Sequence, residues 1–422
     1  MFPNPQDALP LPPRPSLAQY KKRAKDLLKA SQSLDPAAIR TWVTEWIASL
    51  VRLSSITLTP QLPVRIDHWT DELEKFARKE LPQTTWGRTH SCVPPSEAER
   101  SQAATLTAAQ FVIARAHGFE SWPKLAAHIE AVTRTNSSVG SFEQAADAIV
   151  TGDIATLEKL LRENPDLIRA HSIRRHQATL LHYVSANGVE GYRQKTPTNI
   201  VEIADLLLRA GADVNAIADV YGGSSTLGLV ATSVHPERAG VEEALMQLLL
   251  DHGATIDSSD SSAGNLVNVC LANGRGRAAE FLAIHGARLD LEGSSGVGRL
   301  DAVRNYFDES GALRPNAASI QMDRGFLWAC EYGRNDVVEF LLQRGASLEK
   351  QANTGQTALH WAVIGGHEDT VKLLLARGAS LEAENIYGGT ALGQALWSAT
   401  SGDPAIDYAR IIALLKHRGA KP

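Results

Sequence analysis

Residues 353–383 read NTGQTALHWAVIGGHEDTVKLLLARGASLEA. Thr357 is placed to N-cap a short helix, its hydroxyl accepting from a backbone N–H two or three residues on. Leu359, Ala362 and Val363 follow at helical spacing and form an apolar stripe. Gly365 and Gly366 stop that helix, because glycine takes the left-handed cap conformation without steric cost. Val371, Leu374 and Leu375 give a second helix its buried face. Arg377 stands near the end of that helix, where a cation complements the macrodipole. Gly378 closes it. Two helices this short cannot bury their own apolar faces, so neighbouring copies are required.

The copies are present. Gly-Ala pairs begin at Gly211, Gly253, Gly286, Gly311, Gly345, Gly378 and Gly419. Gly253 to Gly286 and Gly345 to Gly378 are each 33 residues, and Gly311 to Gly345 is 34. Together with Gly355, Thr357, Leu359, His360, Ala362, Gly366, His367, Val371 and Leu373 to Ala379, this resembles the ankyrin repeat family. Ala358 stands where that pattern has proline, and Val363 where it has a second alanine. The resemblance implies an all-α solenoid of about seven or eight repeats, counting a cap at 142–168. It fixes an architecture and leaves the partner open.

Composition narrows the class. The 422 residues are 44% hydrophobic and 21% charged, with a net charge of −5. This describes an ordered chain without the basic excess of a nucleic-acid binder. Cys92, Cys270 and Cys330 are too scattered for a disulfide framework or a zinc site. No signal peptide or membrane span is read, so a reducing cytoplasm is the expected compartment, with no membrane partner.

Residues 1–13 are proline-rich and are expected as a disordered tail. Residues 14–135 are expected as an N-terminal helical module. Its helices are read at 16–31, 36–53, 67–80, 106–116 and from 121 onward. The first presents Lys21, Lys22, Arg23, Lys25 and Lys29 on one face, read as solvated, with an acidic partner as the alternative. LPPRPSLAQYKKRAKDLLKA and TAAQFVIARAHGFESWPKLAAHIEAV resemble the helical leader before ankyrin arrays in some bacterial proteins. Residues 136–422 are expected as the array.

Three repeats are longer than the rest. The extra residues are 189–199, about 233–240 and about 398–405, each between the two helices of its repeat. Insertions along one edge of a solenoid mark a candidate binding edge. Asn187, Glu190, Tyr192, Arg193 and Lys195 cluster at the first, and arginine beside tyrosine suits carboxylate, phosphate or peptide recognition. His235 lies in the second, expected beside it. The solenoid pattern does not need this loop, so Arg193→Ala is expected to be nearly neutral for stability. The short interval from Gly286 to Gly311 predicts a truncated first helix near 296–304.

Aromatic residues supply the remaining candidates. Tyr221 and Tyr387 precede paired glycines in turns. Trp328 is read at the register of His360, and Tyr332 and Trp397 four residues beyond that register. Such aromatics either anchor a partner or pack on the next repeat. His182 and His360 each follow a threonine by three residues; the family resemblance implies that they tie repeats together. Cys270 and Cys330 are read at the small, buried register of Ala362, as core thiols.

No phosphate loop, zinc-protease or nucleophile-elbow motif is present in the sequence. No catalytic residue, metal or cofactor is assigned. The reading is a cytoplasmic interaction module for a protein or peptide. The alternative is an enzyme or small-ligand binder with a pocket built from the inserted loops of the first two repeats.

Overall fold

The structure is a computed structural model that describes residues 4, 7–12, 15–53, 62–81, 105–134, 137–257, 265–402 and 406–421. Cys92 and the end of the third insertion lie outside these residues. Among the described residues the fold is all-α apart from a two-residue antiparallel pair, β1 (Ile217–Ala218) with β2 (Ser224–Ser225). The chain divides into two compact units, Met1–Thr255 and Ile256–Pro422.

Among the described residues the first unit opens with α1 (Leu17–Ser31), α2 (Ala38–Leu53), α3 (Leu62–Glu80), α4 (Leu106–Ala116) and α5 (Trp122–Thr133). Ser16 caps α1 and Thr105 caps α4, each accepting from the backbone N–H three residues on. Tyr20, Leu27, Val43, Trp46, Leu73, Ile113 and Phe119 form their common core. Residues 7–12 depart from the expected disordered tail. Leu9 is buried in that core and its N–H donates to the Ala116 carbonyl at 2.7 Å. The buried His117 ring meets the Leu9 carbonyl at 2.8 Å. Apolar Ala8 and Leu9 cover the end of α4, which outweighs the proline content of the segment.

Helix α6 (Ser138–Thr151) packs on α5, so this module and the first repeats share one unit. The pair of α6 and α7 (Ile154–Glu163) is the expected cap repeat. A 3-10 turn at Leu180–Ser185 then stands in for a first helix, followed by α8 (Ile200–Arg209), α9 (Thr226–Ala231), α10 (Val234–Arg238) and α11 (Glu242–Asp251). The second insertion therefore folds as α10.

The second unit contains α12 (Leu266–Ala272), α13 (Gly276–Ile284), α14 (Leu291–Gly296), α15 (Leu300–Arg304), α16 (Ser319–Glu331), α17 (Asn335–Gln343), α18 (Ala358–Ile364), α19 (Glu368–Ala376), α20 (Ala391–Ser401) and α21 (Tyr408–His417). First helices α16, α18 and α20 pack in one row and second helices α17, α19 and α21 in another. Phe326, Leu341, Leu359, Val371, Leu374, Leu392 and Ile411 fill the space between rows. In the short repeat the second helix is the truncated one: α15 has 5 residues against 9 in α17. Its missing length is replaced by the turn at Phe307–Leu313, closed by Gly311 in the left-handed region.

The repeat ties are direct hydrogen bonds. His360 Nδ1 faces the Thr357 hydroxyl at 2.9 Å, and its Nε2 donates to the Gly389 carbonyl of the next repeat at 3.0 Å. His182 repeats the pattern with Thr179 at 2.8 Å and the Ala216 carbonyl at 3.1 Å. Burial lowers both imidazoles, so each is neutral and keeps one donor for its neighbour.

One register shifts. The Arg334 N–H donates to the Ala329 carbonyl as the His367 N–H does to Ala362. Ala329 therefore matches Ala362, Trp328 matches Trp361, and Leu327 holds the histidine position. Cys330 matches Val363, and Tyr332 matches Gly365. Two adjacent small residues, Ala329 and Cys330, made a slip by one easy, whereas the spacing of 33 from Gly345 to Gly378 gives the right register. Cys270 and Cys330 are both fully buried.

Candidate functional site

The first insertion is a clamp, not a free loop. Gly188 opens it at φ +69°, where a Cβ would meet Leu229 and Val220 at 3.0 Å. Asn187 donates from Nδ2 to the Leu229 carbonyl (3.2 Å) and to the Thr232 hydroxyl (3.1 Å), and its Oδ1 accepts from the Tyr221 hydroxyl. At the far end Asn199 donates to the Gly152 carbonyl at 2.9 Å. The segment is pinned on both sides by backbone acceptors.

Its centre is an ion network. The Arg193 side chain is 4% exposed. It reaches Glu143 of α6 at 2.9 Å, Asp147 at 2.8 Å and Glu190 at 3.4 Å. Its Nη2 donates to the Glu143 carbonyl at 3.2 Å, and its guanidinium lies over the Tyr183 and Tyr192 rings. Arg174, also buried, pairs with Glu143 at 3.0 Å and with Glu190, donates to the His117 carbonyl, and lies over the Phe119 ring. Buried Glu190 and partly buried Glu143 face two buried guanidiniums, so these four charges balance. Burial alone would raise Glu143, but Arg174 and Arg193 outweigh it and hold the carboxyl at about 2. Glu190 is held well below its ordinary value by the same two guanidiniums, against its own burial.

Glu190 and Arg193 are therefore turned inward, which corrects the expectation that they meet a partner from the inserted edge. A charge-rich insertion looks the same in sequence whether its counter-ions lie in solvent or in a preceding helix. Here they lie in α6, whose Glu143 and Asp147 are four apart on one face. Tyr192 is half-buried against Arg193, and Lys195 is exposed. His235 is half-buried on α10, lowered by burial and then by Arg238 and Arg65. Sequence reasoning passed over Glu143, Asp147, Arg174 and His176. The Arg174-Arg175-His176 run was the available signal.

A cavity of about 300 Å³ opens beside this network. Glu190 and Tyr221 line it, with Arg115, Arg174, Arg175, His176 and Asp219; Tyr192, Arg193 and His235 do not.

The aromatic candidates of the second unit divide. Tyr332 donates its hydroxyl to the Leu271 carbonyl, and its ring leaves no room for a Cβ at Gly276, so it is a packing residue. Trp328 is half-buried on α16. Tyr387 and Trp397 are 77% and 61% exposed, flanked by Ile386 and Leu396 at 63% and 41%. Asn385 holds the Tyr387 turn by accepting from the Tyr387 and Gly389 N–H groups. This exposed group lies on the Ile386–Tyr387 turn and the α20 that follows it.

Glu331, at the end of α16, is raised to about 7 by burial. A raised carboxyl means that the native state binds more protons than the unfolded chain between its ordinary value of 4.5 and about 7. Stability is thus lost as pH rises through that window. Glu331→Gln should melt at the wild-type temperature at pH 4 and above it at pH 8. Equal shifts at both pH values would remove Glu331 as the source.

Among the described residues no group of three or more His, Cys, Asp or Glu is disposed to hold a metal, and no helix is long and apolar enough to cross a membrane. A family model for ankyrin repeats (3 copies) matches residues 326–422. The crystal structure of the human ASB11 ankyrin repeat domain matches at 21% identity over 66% of this chain and 98% of that one, with a TM-score of 0.33. No curated protein matches the chain.

Proposed function

We propose, from the premise that the chain is an ankyrin-repeat protein, that it binds a protein or peptide partner through the Ile386–Tyr387 turn and the exposed face of α20. Repeat arrays present extended surfaces to partners and leave the choice of partner to side chains. The observation that carries the reading is the grouping of four large exposed apolar residues, Ile386, Tyr387, Leu396 and Trp397, within twelve positions. Rigid aromatics of this kind supply contact area at low entropy cost and are the usual anchors of an interface. The setting proposed is cytoplasmic.

The test compares proteins co-purified with three versions of the full chain. The Tyr387→Ala/Trp397→Ala variant should lose a bound protein that the wild type retains, at unchanged melting temperature. Loss of each anchor costs about 2 kcal/mol or more at a hot spot. Ile284→Ala, which removes a 77%-exposed residue on α13, should keep it. Equal recovery with all three chains would contradict the surface assignment.

A further inference from the structure

The cavity beside the ion network has features the clamp does not use. It is walled by the last turn of α4 and the turn that follows (Arg115, Gly118), the N-terminal segment (Asn4, Ala8), the loop Arg174–His176, Glu190, and the turn Asp219–Gly222. Arg174 is spent on Glu143 and Glu190. Glu190 is 1% exposed and its Oε1 takes the ion pairs, while its Oε2, fully buried, has no hydrogen-bond partner. Buried His176 accepts the Ala178 N–H on Nδ1 at 3.0 Å. Its Nε2 faces Glu190 Oε1 at 3.6 Å, a long contact on the oxygen that Arg174 and Arg193 already hold. A buried acceptor without a donor is costly, and such groups recur where a ligand supplies the missing half.

The other wall is cationic. Arg115 and Arg175 both line the cavity, and among the described residues Arg175 has no ion pair. Arg115 is lowered by burial and then by the charge of Arg175, with Glu120 and Glu80 acting in the opposite direction, so the two guanidiniums stand close enough to repel and have acidic neighbours on their other side. Glu190 and Asp219 in the lining disfavour a phosphate dianion, and the two arginines disfavour a simple cation. A molecule with both charges satisfies both walls. The volume of about 300 Å³ is at the bottom of the range for ligand pockets, roughly 300–1,000 Å³, which limits the occupant to a small molecule.

We infer that this cavity binds a small zwitterion of free amino-acid size, its carboxylate held by Arg115 and Arg175 and its ammonium by the free Oε2 of Glu190 and by Asp219. Arginine pairs suit a carboxylate because their N–H groups match its two oxygens in a plane. The site is separate from the exposed apolar group of the second unit and does not depend on that reading.

The experiment is calorimetric titration of the full chain with each standard amino acid in turn, and with acetate, methylamine and inorganic phosphate. At least one amino acid should bind at millimolar or lower concentration, about tenfold or more tighter than any of the three single-charge probes. Arg175→Gln, at a half-buried side chain, should weaken that binding about tenfold at unchanged melting temperature. Asp219→Asn, at an exposed residue, should weaken it too and serves as the readout if Arg175→Gln melts early. Tyr387→Ala/Trp397→Ala should bind as the wild type does. The inference is overturned if no amino acid binds, if phosphate or acetate binds as well as the zwitterion, or if the folded cavity variants titrate like the wild type.

Discussion

Arg193→Ala should destabilise the first unit by about 3–5 kcal/mol, as breaking a buried ion pair leaves its partner charges uncompensated. Glu143 and Glu190 would lose one of their two guanidiniums in a site that excludes water. Arg193→Lys should recover little of this, because one ammonium cannot face Glu143, Asp147 and the Glu143 carbonyl with the geometry of a planar fork. The effect has a definite pH dependence. Glu143 is held at about 2 against an ordinary 4.5, so its stabilisation is present above 4.5 and is lost as pH falls toward 2. Denaturant melts at pH 7 and pH 3 should show the wild type and Arg193→Ala converging in acid. A loss below about 1 kcal/mol at pH 7 would return Arg193 to the status of a solvated loop residue.

Leu374→Asp should cost about 4 kcal/mol or more. Leu374 is fully buried on α19, which packs between α17 and α21. The change removes a leucine side chain, worth about 2–5 kcal/mol in cores, and buries a carboxylate without a partner. Each repeat is stabilised mainly by its neighbours, so the loss should spread to the repeats on either side. The helical signal of the second unit would then melt early, which circular dichroism reads directly. An unchanged melting temperature would contradict the packing assigned to the repeat at 353–383.

The fold was legible wherever a local rule and a repeat rule agreed. Thr357, His360, Gly366 and Leu374 each satisfy a cap, a tie, a stop or a core position, and the same positions recur at a fixed spacing. Legibility failed where a partner lay far away in sequence. Glu143 and Arg193 are 50 positions apart, and nothing in the spacing of 189–199 reveals that its charges face α6. The slip at Trp328 and Cys330 came from matching small residues instead of counting from the Gly-Ala pairs. Truncation of α15 in place of α14 could not be read from an interval alone, because shortening either helix gives the same spacing. Tyr387 and Trp397 are exposed on a turn and a first helix, but the same reasoning named Tyr332, which is packed. Exposure is a property of the neighbouring chain, and a single sequence does not carry it.

The account places partner contact on the exposed apolar group at 386–397 and gives the charged insertion at 189–199 a structural role. Backbone hydrogen exchange on the full chain, alone and bound to the protein recovered with it, separates the two. The account predicts new protection across 386–397 on binding and unchanged, already slow exchange across 189–199. Protection appearing at 189–199 with none at 386–397 would contradict it.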